Sequence, residues 1–429
     1  MRLQRFDWDG RDPRGLAARL RAMTPPLSDV REPVAELIGR VRAGGDAALR
    51  EIAEELGEPS AEALRVDPEA VAAAPGLLEA DVREALRLAA DNIAAIARAE
   101  AEAFVQPASR QLEQGQRVEV RSEPVGAAGI YAPGGRAAYP SSVLMCTIPA
   151  RVARVARVAV ASPPGLGGRP AASVLAACAI AGVDEVYAVG GAQAIAAFAF
   201  GTETVPAVDV VAGPGNRYVT EAKRQVAGAV GIDGIAGPSE LLVVADGTAD
   251  PDWIALDLCA QAEHGEDSPL AVVSPDAALC DRLAELVEGL VLERPTVSPG
   301  VSLALVTAPG LELALDLADA YAPEHLELAF TGADEAAARG RVAGCVFVGA
   351  GGATAFGDYV AGSNHVLPTG GAARFGGPLG PGAFMRRTSV VSVPASAAQA
   401  LAPHVAAIAG AEGLPVHGES ARARGGGKR

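Results

Sequence analysis

Apolar residues recur at helical spacing through the first hundred residues of the chain. The pattern is clearest in two segments, one after the polar pair Ser28-Asp29 and one from Val82 onward. The apolar positions are Val30, Val34, Leu37, Ile38 and Val41 in the first segment, and Val82, Leu86, Ala89, Ile93 and Ala97 in the second. Each segment predicts an amphipathic helix, with Ser28-Asp29 as the N-terminal cap of the first. Each helix has to pack its apolar face against a later part of the chain.

From Val118 onward, short apolar runs alternate with helical patterns. The runs are nearly continuous and most are followed by a helix, which is typical of buried parallel strands. The predicted strands are 157–161, 185–189, 208–211, 241–245, 270–274, 301–306 and 345–348. This order predicts an α/β protein with more than one doubly wound sheet. Glycine- and proline-rich breaks at 163–170 and 370–381 interrupt the pattern, and the second precedes a separate C-terminal segment.

Glycines cluster where the predicted strands end. Gly190-Gly191, Gly213-Pro214-Gly215 and Gly349-Ala350-Gly351-Gly352 each follow a strand and precede a predicted helix, and a further turn runs from Tyr131 to Gly135. Open α/β sheets bind ligands at the carboxyl ends of their strands, where a helix N-terminus favours phosphate. Since none of the turns reads G-x-G-x-x-G, a dinucleotide site and a set of ordinary tight turns both remain open.

Composition and charge exclude several classes of protein. The chain has 429 residues, enough for about two or three domains. Half of the residues are hydrophobic but only 4% are aromatic, so the core has to consist of alanine, valine, leucine and isoleucine. A net charge of −16 argues against binding to nucleic acid or to an anionic membrane. No apolar run approaches the ~20 residues of a membrane span, and the N-terminus lacks a signal-peptide pattern, so we predict a cytoplasmic location.

The five cysteines do not predict a disulfide framework or a thiolate zinc site. They are scattered, odd in number and form no C-x-x-C pair. We interpret most of them as small buried hydrophobic residues. The role of Cys146, close to the turn after Tyr131, stays open.

The pair Glu324-His325 is the strongest candidate for catalysis. It follows a predicted helix over 311–320 and precedes an alternating, strand-like run. Pro323 disfavours α-helical geometry at Ala322, so the helix is expected to end there. Neighbouring side chains at this point face different directions and can present two bases to one pocket. The alternative is that the pair lies in a solvated turn without a chemical role.

Four of the five histidines lie in polar surroundings. Gln261 and His264 are three residues apart on a predicted helix and can converge on one ligand. His325 belongs to the pair above, and His365 and His417 occur in a glycine-rich stretch and near the C-terminus. His404, inside an alanine-rich helix, is interpreted as structural or exposed.

These residues suit a divalent metal ion. Two or three imidazoles with a carboxylate and a neutral oxygen, and no thiolate, form a reasonable site for zinc or a similar ion. The sequence chemistry therefore predicts a metal site built from some of His264, Asp358, His365 and His417. Spacing alone does not bring these segments together in space.

Three common catalytic motifs are missing from the sequence. There is no G-x-S-x-G elbow, no H-E-x-x-H and no Walker loop. Readings as a serine hydrolase or an NTPase therefore have little support.

The motifs together resemble the histidinol dehydrogenase family, over nearly the whole chain. The segments that carry the resemblance are Gly129-Ile-Tyr131-Ala-Pro-Gly-Gly135, Gly190-Gly-Ala-Gln193-Ala-Ile, Gly213-Pro-Gly-Asn216, Thr220-Glu-Ala-Lys-Arg-Gln-Val226, Ala236-Gly-Pro-Ser239-Glu240, Gln261-Ala-Glu-His264-Gly, Ala322-Pro-Glu324-His325-Leu, Gly357-Asp358-Tyr and Ser363-Asn-His365-Val-Leu-Pro-Thr. We find no departure from the family pattern at a position interpreted as functional.

The resemblance implies an activity and a set of partners. Family members oxidise L-histidinol to L-histidine through histidinaldehyde, with two NAD and water, as the last step of histidine biosynthesis. They are zinc-dependent homodimers in which a C-terminal tail completes the partner's site. The implied fold is α/β, with two incomplete Rossmann-like parallel-sheet domains and small N- and C-terminal segments. The expected boundaries are 1–25 for the N-terminal segment, 26–130 with 241–380 for the main domain, 131–240 for the NAD-contacting domain and 381–429 for the tail.

The resemblance also implies roles for particular residues. Zinc would be bound by Gln261, His264, Asp358 and the partner's His417. Histidinol would be contacted by Ser239, His325, Glu412 and the same four metal ligands. NAD would be contacted by Tyr131, Gln193 and Asn216.

The chemistry of the residues fits this assignment. Conversion of an alcohol to an acid needs a base for the alcohol proton and a base for the water that adds to the aldehyde. We predict that His325 serves the first purpose and Glu324 the second. Two other classes remain as alternatives: a metal-dependent hydrolase or lyase that uses the same pair, and a non-catalytic protein that binds histidinol-like ligands.

Overall fold

The computed structural model describes residues 1–23, 29–59, 61, 63–105, 108–134 and 138–426. Ser28 of the predicted helix cap and Gly135 of the predicted turn lie outside the described residues. The strands are β1 (Arg2–Asp7), β2 (Ala108–Gln111), β3 (Arg117–Pro124), β4 (Ala127–Tyr131), β5 (Arg157–Ser162), β6 (Glu185–Ala188), β7 (Val210–Ala212), β8 (Gly231–Ile232), β9 (Leu241–Ala245), β10 (Leu270–Ser274), β11 (Ser302–Thr307), β12 (His325–Ala329), β13 (Cys345–Val348) and β14 (Met385–Ser392).

The helices cover most of the remaining chain. They are α1 (Pro13–Arg21), α2 (Arg31–Glu55), α3 (Pro68–Ala73), α4 (Ala80–Val105), α5 (Pro140–Val152), α6 (Ala172–Ile180), α7 (Gly191–Phe200), α8 (Arg217–Val226), α9 (Pro251–Ala262), α10 (Ala277–Glu293), α11 (Leu311–Tyr321), α12 (Ala333–Ala338), α13 (Thr354–Tyr359), α14 (Ala395–Ala411) and α15 (Pro415–Arg424). Each predicted strand matches an observed one to within about two residues, because a run of β-branched residues between turn residues has few other stable conformations.

A six-stranded parallel sheet forms one body of the molecule. Its strand order is β1-β11-β10-β9-β12-β13, and every pair is parallel. Both faces are covered by helices and by apolar side chains, so the strands are buried as continuous apolar runs. The predicted N-terminal segment 1–25 contributes β1 to the edge of this sheet, and α1 packs against α11.

A five-stranded parallel sheet forms the second body. Its order is β6-β5-β4-β7-β8, with α5, α6, α7 and α8 as its own helices. The early helices pack here too: α2 contacts α7 and α8, while α4 contacts α5 and α6. The apolar residues of both helices share cores with β4 and β5.

This packing differs from the grouping of 26–130 with 241–380. The apolar faces of α2 and α4 lie against the five-stranded sheet and not against the six-stranded one. An amphipathic pattern predicts that a helix has a buried face, but it does not predict which sheet covers that face. The other domain boundaries stay predictions.

The C-terminal segment is tied to the rest of the chain by a small antiparallel sheet. Strand β14 pairs with β3, and β3 pairs with β2. Beyond it, α14 and α15 pack mainly against each other. The α/β class with two parallel sheets and small terminal segments is confirmed. Within the described residues, no helix is long and apolar enough to cross a membrane.

Candidate active site

A cleft of about 1600 Å³ separates the two parallel sheets. The five-stranded sheet contributes the carboxyl ends of β4, β5 and β7 to its wall, whereas the six-stranded sheet contributes the segments just before β9, β10 and β12. Among the predicted site residues, the cleft is lined by Tyr131, Asn216, Ser239, His264, Glu324, His325, Asp358 and His365.

Glu324 and His325 lie where α11 gives way to β12. The helix ends at Ala322, which has left-handed backbone geometry with φ 52°, and the strand begins at His325. Left-handed geometry costs a residue with a side chain about 1 kcal/mol, and Pro323 prevents the helix from continuing. Both side chains are buried, at 5% and 3% exposure. The predicted helix end is confirmed, and a solvated turn is excluded.

One oxygen of Glu324 is held by several groups. Its Oε2 accepts hydrogen bonds from the Ser239 hydroxyl and from the Glu240 backbone N–H at 2.8 Å, and it lies 3.3 Å from His325 Nδ1. Its Oε1 makes no hydrogen bond to another of the described residues. The fixed carboxylate therefore has one oxygen available for a ligand or a water molecule.

Ser239 links this carboxylate to a candidate metal ligand. Gln261 Nε2 donates to the Ser239 hydroxyl at 2.6 Å, and the hydroxyl donates to Glu324. Because the amide nitrogen of Gln261 is used in this way, its oxygen is the atom left for a cation. Gln261 is 1% exposed and lies behind the cleft wall.

His325 is surrounded by negative charge. Its Nδ1 lies 3.1 Å from the Glu240 carbonyl, and its Nε2 lies 3.5 Å from the Asp358 carboxylate, at the limit of a hydrogen bond. Burial alone would lower the pKa of His325, but the Glu324 carboxylate, together with Asp358, outweighs burial and raises it to about 10. Nε2 has no closer partner among the described residues, so it is the ring atom that can meet a substrate.

His365 holds the loop that carries Asp358. Its Nδ1 lies 2.9 Å from the Asp358 backbone carbonyl and its Nε2 lies 3.1 Å from the Ser142 hydroxyl. Burial lowers the pKa of His365, which favours the neutral ring. With both ring nitrogens bonded to the protein, His365 supports the site and is not free to bind a metal.

The remaining donors suit a divalent ion in part. Gln261, His264 and Asp358 supply an amide oxygen, an imidazole and a carboxylate, which is a borderline-hard donor set that zinc accepts. Among the described residues, no three His, Cys, Asp or Glu side chains form a metal cluster. His264 and Asp358 account for only two residues of those types.

The other two predicted residues stand apart from this cleft. Glu412 follows α14 and His417 lies in α15; both are exposed, and neither lines the cleft. The same helical pair exposes Val405, Ile408 and Val416 at 40, 63 and 68%.

The turns of the five-stranded sheet bring polar groups to the other side of the cleft. The Tyr131 hydroxyl accepts a hydrogen bond from the Gly191 N–H at 3.1 Å, and burial raises the pKa of Tyr131 to about 12. Asn216 Oδ1 accepts from the Tyr218 and Val219 N–H groups and caps α8, so its amide nitrogen is free for a ligand.

Gln193 lies just behind this side of the cleft. Its Nε2 lies 3.3 Å from Glu58, while its Oε1 is buried without a partner among the described residues. A buried oxygen that lacks a partner, beside glycine turns at the carboxyl ends of strands, fits a polar group of a dinucleotide.

Sequence reasoning did not identify the pair Lys223 and Asp233. The two side chains form a buried ion pair on the cleft wall. Together they bind both peptide groups of Gly213: the N–H donates to Asp233 Oδ2 at 2.8 Å, and the carbonyl accepts from Lys223 Nζ at 3.0 Å. Gly213 has φ 119°, and a Cβ there would lie 2.1 Å from the Tyr131 carbonyl oxygen. The chain has only two lysines among its 36 basic residues, and that scarcity was the available signal.

Cys146 is fully buried in α5, and burial raises its thiol pKa well above the usual range. It does not line the cleft. An inert packing role accounts for what the structure shows.

The chain matches known proteins along its length. A family model described as histidinol dehydrogenase matches residues 22–425. The histidinol dehydrogenase of Rhodospirillum rubrum is 45% identical over 416 residues, 95% of each chain, and that of Natronomonas pharaonis is 46% identical over 402 residues, 92% of this chain and 93% of the other. The crystal structure of histidinol dehydrogenase from Elizabethkingia anophelis superimposes with a TM-score of 0.89 at 30% identity, covering 99% of this chain and 98% of that one. The chain therefore belongs to the histidinol dehydrogenase family, a family of oxidoreductases.

Proposed function

We propose that this protein oxidises L-histidinol to L-histidine through histidinaldehyde, with two NAD and a zinc ion, as the last step of histidine biosynthesis. The observation that carries the proposal is the position of Glu324 and His325. This buried pair of bases lies in one cleft between glycine-rich turns and the donors Gln261, His264 and Asp358. A cytoplasmic location stays a prediction.

Substrate positioning would come from the amino-end wall of the cleft. A zinc ion held by Gln261, His264 and Asp358, with His417 of the partner subunit, would supply a positive charge that binds the imidazole and amino nitrogens of histidinol. Ser239 keeps the Gln261 oxygen turned away from Glu324 by accepting the amide N–H. The side chains thereby fix the substrate carbon relative to the opposite wall, which reduces the entropic cost of reaction.

His325 takes the proton of the substrate alcohol. Its Nδ1 faces the Glu240 carbonyl and Glu324, so Nε2 is the atom that accepts. The neutral ring is needed, and the two carboxylates that raise its pKa oppose this. A cation bound by Asp358 would reduce the negative charge that faces the ring and would lower the pKa of His325 towards the range in which a neutral imidazole is present.

Glu324 activates the water that adds to the aldehyde. Ser239 and the Glu240 N–H fix its Oε2, so Oε1 is oriented towards the cleft. NAD would supply the hydride acceptor for each oxidation of the substrate carbon, and Tyr131, Gln193 and Asn216 would hold it.

A second copy of the chain would complete the site. The chain's own His417 and Glu412 are exposed and do not line its cleft, and α14 and α15 expose apolar side chains. We infer a homodimer in which α15 of each subunit reaches the other subunit's cleft. Mixing the inactive variants His417→Asn and His325→Asn should restore activity, because one hybrid site draws both intact residues. Failure of this rescue would count against the shared site.

The test of the reaction is NADH formation from histidinol with and without prior chelation of metal. We expect two NADH per histidinol, loss of activity with the chelator and recovery with zinc. No NADH with any metal would exclude the dehydrogenase and return attention to metal-dependent hydrolysis by the same pair.

A further inference from the structure

Glu58 is an acidic side chain in the cleft that the proposed reaction does not use. It lies in the loop after α2 and lines the wall beside the ends of β5 and β6. Its Oε1 is 3.4 Å from the position that a Cβ on Gly190 would take, and Pro163 packs against the same glycine. A carboxylate has therefore been placed directly over the turn between β6 and α7.

The hydrogen-bonding capacity of Glu58 is largely unused. Within the described part of the chain, its only partner is the Gln193 amide, at 3.3 and 3.4 Å from the two carboxylate oxygens. A carboxylate can accept about four hydrogen bonds, so most of its acceptor sites are open towards the cleft. Such a group suits a ligand with neighbouring hydroxyl donors and repels a phosphate.

The position of Glu58 identifies which part of a dinucleotide it would meet. β6 lies at one edge of the five-stranded sheet and β8 at the other, four strand spacings away, which is ~19 Å at ~4.8 Å per strand. The chain leads from β8 through Asp233 to Ser239 and so to the catalytic pair. With the nicotinamide beside His325, the opposite end of an extended dinucleotide lies near β6.

Beside Glu58, none of the described residues that line the cleft is basic. Among the described residues that line the cleft, the basic side chains other than histidine are Arg217 and Lys223, both on α8 beyond β7. Lys223 is already paired with Asp233.

We propose that Glu58 binds the ribose hydroxyls at the adenosine end of the dinucleotide and thereby selects NAD over a cofactor with a 2′-phosphate. The inference rests on the proposed function, since it requires a dinucleotide in this cleft. It places a specificity residue on a loop that precedes the whole five-stranded sheet. The acceptor meets the hydroxyls directly, and the same charge excludes the phosphate.

The experiment compares Glu58→Gln with a matched control, Glu100→Gln. Glu100 also lines the cleft and loses the same charge on substitution, but it lies on α4 against Gly380. Binding of ADP-ribose and of ADP-ribose 2′-phosphate to the full-length protein is measured by calorimetry, without turnover. Circular dichroism and thermal melting establish that both variants are folded.

Glu58→Gln should weaken the binding of ADP-ribose by about tenfold, which is the usual contribution of a hydrogen bond to a charged group. The affinity for ADP-ribose should thereby come closer to the affinity for ADP-ribose 2′-phosphate. Glu100→Gln should leave the ratio of the two affinities unchanged. The ratio of kcat/KM for NAD and NADP with histidinol should change in the same direction.

Two results would overturn the inference. An unchanged affinity ratio in Glu58→Gln, with wild-type NADH formation intact, would remove Glu58 as the selecting group while leaving the reaction in place. An equal shift in Glu100→Gln would show a general charge effect. If the wild-type protein binds neither ligand and forms no NADH, the proposed function fails and this inference fails with it.

Discussion

The two parallel sheets meet the cleft with opposite ends. The five-stranded sheet presents the carboxyl ends of its strands, and β4, β5, β6 and β7 are each followed by a glycine-containing turn and a helix N-terminus. The six-stranded sheet presents the amino ends of β9, β10 and β12, and the helices that arrive there, α9 and α11, end at the cleft.

This difference gives the two walls different electrostatic character. A helix N-terminus carries partial positive charge and unpaired N–H groups, which suits phosphates, while a helix C-terminus carries partial negative charge and suits cations. Gln261 and His264 stand at the C-terminus of α9, and Glu324 and His325 follow that of α11. On the wall of the five-stranded sheet, Lys223 and Asp233 hold the backbone of Gly213. On the wall of the six-stranded sheet, Glu324 and His325 are positioned for chemistry.

The largest expected effect separates activity from stability on the chemical wall. His325→Asn should lower kcat for histidinol oxidation by about 10⁴-fold, since the general base is lost. The melting temperature should fall as well, because Glu324 and Asp358 lose the imidazole that lies beside them, but the variant should stay folded. Steady-state NADH formation and thermal melting check both parts. Substantial residual activity would place the base elsewhere.

The second largest expected effect concerns the stability of the five-stranded sheet that forms the other wall of the cleft. Lys223→Met leaves Asp233 buried without a counter-ion and should reduce the free energy of unfolding by about 3–4 kcal/mol. The control is Arg5→Met, which breaks an exposed ion pair with Asp281 and should cost less than about 1 kcal/mol. Urea denaturation measures both. Equal losses in the free energy of unfolding would show that the buried Lys223–Asp233 pair stabilises the fold no more than an exposed pair does.

A third prediction divides the two oxidations. Glu324→Gln should slow oxidation of histidinaldehyde by about 100-fold and oxidation of the alcohol less, because only the aldehyde step needs an activated water. Single-turnover measurements with each substrate separate the steps. Equal slowing of both would remove water activation from Glu324.

The smallest expected effect concerns Glu327, a buried carboxyl group on β12 of the six-stranded sheet. Burial, with Asp257 nearby, raises the pKa of Glu327 from 4.5 to about 8. Between these values the unfolded chain is ionised while the folded chain keeps the proton, so the free energy of unfolding should fall as pH rises and then level off. Glu327→Gln should remove this decrease, which is at most about 1.4 kcal/mol for each pH unit between pH 5 and pH 8.

Denaturation curves at a series of pH values measure this decrease, with Glu288→Gln on the exposed side of α10 as the control. A Glu327→Gln variant with the wild-type pH dependence would contradict the assignment.

The sequence predicted the elements better than their partners. Runs such as Leu241–Ala245 have one stable local conformation, and the Glu324-His325 pair was visible because its residues are adjacent. The pairing of β3 with β14 joins segments more than 250 residues apart, and no local pattern encodes it. The same reason explains the hydrogen bonds from Gly213 to Lys223 and Asp233, and the packing of α2 on the five-stranded sheet. Long-range contacts depend on which apolar surfaces are complementary in shape. A periodic sequence pattern indicates only that an element has an apolar surface.

The contacts that bury Lys223 against Gly213 and Asp233 also limit the chemical modification of this protein. Lys223 is 3% exposed in its side chain and paired with Asp233, so reagents that attack amines cannot reach it in the folded state. The only other lysine in the sequence is Lys428, one residue from the C-terminus. Amine-directed attachment to a surface or a dye should therefore spare Lys223 as long as the protein is folded. Labelling of Lys223 would then report unfolding of the five-stranded body.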